Sequence, residues 1–270
     1  MFRASQEANP DGTAVEFQNY SPTQYNLAVK CTQRLLAQSS SELLTDNLIE
    51  TFRWIFWLAA FSEPNPIPQW QLDATSRVLQ QWANEFDRLV VFLPKDDRNT
   101  IVLLRMYHTT MTIMIATGLY GQETLHYEHH GLYEHVVALG KVLFDQQRVV
   151  ESEDGYIFCF EPGVIFPLFF VAMKCRHPLI RRQAIALLET ADHQEGTWES
   201  VGAAKVAEFV MDVEEENLPQ GAGSEQVLES ARVHLVNISS KIERRRVDLR
   251  CLLRTSEEDS WYFREGTVFY

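Results

Sequence analysis

The stretch EPGVIFPLFFVAMKCRHPLIRRQAIALL, Glu161–Leu188, decides the fold. Every residue from Val164 to Met173 is apolar. Ten residues are about half of what a membrane-spanning helix needs, and Lys174, Arg176, Arg181 and Arg182 follow closely. The run therefore predicts a helix buried on most of its sides. Pro162 suits the start of that helix, while Pro167 lies inside the run and is expected to bend it or shift its first turn. Pro178 opens a second helix, in which Ile180, Ala184, Leu187, Leu188 and Ala191 recur at helical spacing. Two helices meeting through a basic corner form the expected centre of the molecule.

Working outward, helical periodicity dominates. Residues 1–21 are polar and read as a flexible N-terminal arm. Helices are expected from Pro22 to about Gln38, and through Phe52–Phe61, where FRWIFWLAAF is apolar all round. Pro64, Pro66 and Pro68 make a stiff linker. Further helices are expected over Gln69–Leu93, over the run IVLLRMYHTTMTIMIATGLY, after Gly121, and through Ala203, Val206, Val210 and Val213. Glu214-Glu215-Glu216 to Gly223 reads as a solvated acidic loop. Val227, Leu228, Ala231, Leu235, Ile238 and Ile242 then fit a last helix capped by Ser224. Val247–Leu253 and Trp261–Phe269 read as a terminal β-hairpin. The expected class is all-α: a multi-helix bundle or irregular helical solenoid, residues 22–246, with a small C-terminal β-hairpin, residues 247–270, packed on it.

Composition bounds the function. The chain has 24 Lys and Arg against 37 Asp and Glu, a formal charge of −13, so direct nucleic-acid binding is not expected. The first 25 residues hold no apolar signal core, and a nuclear or cytoplasmic rather than secreted location is expected, with no membrane partner. Cys31, Cys159, Cys175 and Cys251 form no closely spaced ligand pairs and read as buried thiols.

Candidate chemistry is sparse. The chain contains no GxSxG, P-loop, GxGxxG or HExxH motif, and no cofactor is expected. His126, His130 and Glu134 recur every four residues, a spacing that permits metal ligation from one helix face; an exposed polar face is the favoured reading, since a triad on one helix needs further ligands and outer partners. Arg105 and His108 sit on a largely apolar helix and need partners. Either an acid from a neighbouring helix pairs with them, or they face a pocket, Arg105 holding an anionic or carbonyl group and His108 moving a proton. Trp54, Trp57, Arg105, His108 and Met111 are the candidates for lining such a pocket. The basic corner at Lys174, Arg176, Arg181 and Arg182 is expected to pair with carboxylates rather than hold a free anion.

The order Gly163, Pro167-Leu168-Phe169-Phe170, Ala172, Lys174-Cys175-Arg176, Pro178, Ile180-Arg181-Arg182, Ala184-Ile185, Leu187-Leu188, then EGTWES at Glu195–Ser200, resembles the regulatory region of fungal zinc-cluster transcription factors. Weaker similarity runs through RMYH at Arg105–His108 and through RRVDLRCLL and WYF near the end. The two CxxC pairs of that family's DNA-binding cluster do not occur in this sequence. The resemblance implies a regulatory protein, without a DNA-binding segment of its own, that senses an apolar small molecule or binds another regulator, in a setting of secondary metabolism and compatible with a homodimer. The alternative is a cofactor-independent biosynthetic enzyme, a cyclase or isomerase, holding an apolar intermediate in an aromatic-lined pocket of the same helical body.

Overall fold

The computed structural model describes residues 69–91, 98–118, 123–150, 157–159, 163–191, 193–195, 198–219, 226–255 and 260–270. The N-terminal arm and the aromatic run Phe52–Phe61 lie outside the described residues. The described part is mostly helical and ends in a three-stranded antiparallel sheet.

Helix α1, Gln69–Val90, places Leu79, Trp82 and Phe86 on one side at intervals of three and four. They pack against Tyr107, Met111, Met114 and Ile115 of α2, Arg98–Thr117. The other side of α2 sends Met106 and Ile113 into a second core, shared with α3, His130–Val150, which follows a 3-10 turn at Glu123–His129. With both sides of α2 buried, its apolar residues need not form a narrow stripe.

Helix α4, Ile165–Lys174, and helix α5, Pro178–Thr190, are the two segments expected from residues 161–188, and α4 lies within the main core. Ile165, Leu168, Val171 and Ala172 are all 0% exposed, which a helix apolar on every side requires. Pro167 falls in the first turn of α4, where a proline need not bend a helix. It is the third helical residue, inside the first turn, where an N–H would have no intrahelical acceptor. The N-terminus of α4 is capped from a distance. Val164 offers no side-chain cap, and the Glu195 carboxylate instead accepts from the N–H groups of Gly163, at 2.8 Å, and Ile165, at 3.2 Å. Glu195 is held in a small sheet in which β1, Ile157–Cys159, runs parallel to β2, His193–Glu195, and β3, Trp198–Glu199, runs antiparallel to β2.

Helix α6, Ser200–Glu215, presents Ala203, Ala204 and Ala207 to the helical core and Val206, Val210 and Val213 to the sheet. That sheet has the order β4 (Val233–Lys241), β5 (Arg246–Arg254), β6 (Trp261–Phe269), all antiparallel. The expected hairpin is β5–β6, in register from Arg246 opposite Phe269 to Arg254 opposite Trp261. The expected helix at Ser224–Ile242 is corrected: its second half is strand β4. The register of β4 shifts between Val233 and Leu235. Val233 before the shift and Val236 and Ile238 after it all pack toward α6 or the inner face of β5. This one-residue slip hides the period of two in the sequence. The spacings from Val227 to Ile242 then imitate a helix.

Helix α6 runs antiparallel along β6. The Tyr270 ring lies 3.2 Å from the Cβ position of Gly202, the Phe209 ring covers Gly266, and Arg264 binds Glu216. A Cβ at residue 266 would run into that ring.

Candidate functional site

The densest chemistry lies where the α4–α5 corner meets the 3-10 turn, the end of α6 and the start of β4. Arg176 uses all five guanidinium N–H groups there. Nε and Nη2 donate to the Glu214 carboxylate at 3.2 and 2.6 Å, and Nη1 donates to Glu123 at 2.6 Å and to the Lys174 carbonyl at 2.8 Å. The fifth bond goes from Nη2 to the Val233 carbonyl at 3.4 Å. Glu214 also accepts from Arg181 Nη1 at 2.7 Å and from the Val233 N–H at 2.8 Å. Lys174 donates to Glu123 at 2.6 Å and to the His234 carbonyl at 3.2 Å. Arg232, fully buried, donates to the carbonyls of Glu123 and Val227 and stacks over the Tyr127 ring at 4.5 Å.

Burial alone would push the carboxyls of Glu123 and Glu214 up. Lys174 and Arg176 beside Glu123, and Arg176 and Arg181 beside Glu214, overcome that and hold both below the usual carboxylate range. Burial likewise lowers Arg176, but the two carboxylates outweigh it and raise it. Arg232 has less compensation, so burial brings it down to about 10 against the opposing Glu123. His126 is held neutral. Burial lowers it to about 3, Glu123 opposes, and Lys174 and Arg176 add to the fall. Its Nδ1 lies 2.5 Å from the Tyr133 hydroxyl. Each carboxylate in this junction already serves several donors. The arrangement is a clasp tying four elements together.

The expectation that the basic corner pairs with carboxylates is met for all four residues, including Arg182, which binds Glu215 at the surface. The carboxylates themselves were not read from the sequence. The acidic run expected to be a solvated loop divides three ways: Glu214 is buried in the junction, Glu215 meets Arg182, and Glu216 meets Arg264. The available signal was position, since Glu214 continues the buried stripe four residues after Val210.

Of the five pocket candidates, Arg105, His108 and Met111 lie among the described residues and take three different settings. Trp54 and Trp57 lie outside the described residues. Arg105 pairs with Asp87 of α1 at 2.7 Å, as one expectation had it, but both side chains face solvent. His108 stacks on Trp82, and its Nε2 lies 3.0 Å from the Leu79 carbonyl. Burial lowers its pKa, the bond to Leu79 opposes, and Arg105 adds to the fall. Met111, 1% exposed, fills the α1–α2 core. The His126, His130 and Glu134 spacing does not become one helix face, because residues 123–129 form the 3-10 turn and α3 begins at His130. His126 points to Tyr133, His130 packs edge-on against His177 at 5.2 Å, and Glu134 is exposed. Among the described residues no group of three or more His, Cys, Asp or Glu is placed to hold a metal.

Compared with known proteins, the chain matches no family model, no curated protein and no solved structure.

Proposed function

We propose that this chain is the regulatory body of a protein related to fungal zinc-cluster transcription factors, responding to an apolar small molecule or to another regulator. In this reading the 270 residues contact no DNA themselves, in keeping with the charge of −13. They work in the nucleus or cytoplasm, in the control of secondary metabolism. The observation that carries the reading is the physical unity of the stretch on which the resemblance rests. Glu195 caps α4 and accepts from the Gly163 N–H, Pro178 starts α5, and Lys174, Arg176 and Arg181 form the buried clasp. Residues spread over nearly forty positions thus serve one structural unit, a coherent reason for them to recur together. Among the described residues no helix is long and apolar enough to cross a membrane.

The alternative, a cofactor-independent cyclase or isomerase, places Trp54, Trp57, Arg105, His108 and Met111 around one pocket. The surface ion pair of Arg105 and the core position of Met111 favour regulation instead. Deleting the gene in its source organism and measuring transcripts and metabolites separately tests the choice. A regulator's loss changes the transcript levels of a set of biosynthetic genes. Unchanged transcripts with accumulation of one unreacted intermediate would sink the regulatory reading in favour of the enzyme.

A further inference from the structure

We draw no further inference here: the strongest candidate, the arginine-rich outer face of the terminal sheet, carries nothing, because Arg246 and Arg250 already pair with Asp248 and Glu265 and nothing in the structure shows what covers that face.

Discussion

At the scale of single residues, the chain spends its most costly burial on charge. Arg176, Arg181 and Glu214 have side chains with no solvent exposure. Removing such groups from water costs several kcal/mol each, and the return depends on every donor and acceptor finding a partner. Arg176 satisfies that condition with five bonds. Replacing Glu214 by glutamine removes the carboxylate charge that faces Arg181 and one of the two that face Arg176, so Glu214→Gln is expected to lower unfolding stability by about 3–5 kcal/mol in urea titrations at pH 7. The neighbouring surface pair supplies the contrast: Arg182→Ala, which removes the contact with Glu215 at a half-exposed side chain, is expected to cost no more than about 1 kcal/mol. Equal losses in the two variants would show that the buried clasp does not hold the fold together. Tyr133 and Cys175 beside it are pushed up by burial, the thiol to about 11, and both stay protonated at neutral pH.

At the scale of elements, the helices of the centre depend on groups brought from elsewhere in the chain. Helix α4 has an apolar sequence that supplies no cap of its own, and a carboxylate thirty residues away takes that place. A negative charge at a helix N-terminus is stabilising both through its hydrogen bonds and through the helix dipole. Glu195→Ala is therefore expected to cost about 1–2 kcal/mol in urea unfolding, with Glu195→Gln recovering part of the loss because one acceptor oxygen remains. An alanine variant as stable as the parent would mean that solvent caps α4 equally well. The same dependence explains the two element-level surprises. Strand β4 was misread because a bulge breaks its alternation, and the small β1–β2–β3 sheet was missed because strands of two or three residues carry no measurable period.

At the scale of the whole molecule, the clasp joins the helical body to the terminal sheet. Glu214 belongs to α6, Arg176 to the α4–α5 corner, Glu123 to the turn before α3, and Val233 to β4. Its protonation is consequently a property of the assembled fold. His126 falls from a usual 6.5 to about 3, so the unfolded chain takes up that proton first. Its contribution is fully present above pH 6.5 and is lost as pH falls toward 3. Glu123 and Glu214 are lowered from 4.5, so their contribution is present above that value and is lost as pH falls below it. Acidification is thus expected to erode stability in two stages, the first between pH 6.5 and 4.5 at up to about 1.4 kcal/mol per pH unit for His126. His126→Gln should flatten this first stage in urea midpoints measured from pH 8 to pH 4, while leaving the second. His108 and His234, also lowered by burial, keep some slope in the variant. Identical slopes in both proteins would mean that His126 is not buried neutral.

The sequence by itself determined the mostly helical class, the buried α4–α5 centre and the terminal β5–β6 hairpin, because there the apolar pattern is unbroken; at β4, where a bulge interrupts the alternation, the pattern misled. It also pointed to carboxylate partners for the basic corner, since the chain carries 37 Asp and Glu against 24 Lys and Arg. Only the tertiary structure decided which carboxylates answer them. Glu123 and Glu214 lie some fifty and forty residues from Arg176, and although Glu214 continues the buried stripe of α6, nothing local says which cation it meets. The same holds for Arg105 and Met111, neighbours on one helix that the packing of α1 and α2 sends to opposite fates, solvent and core.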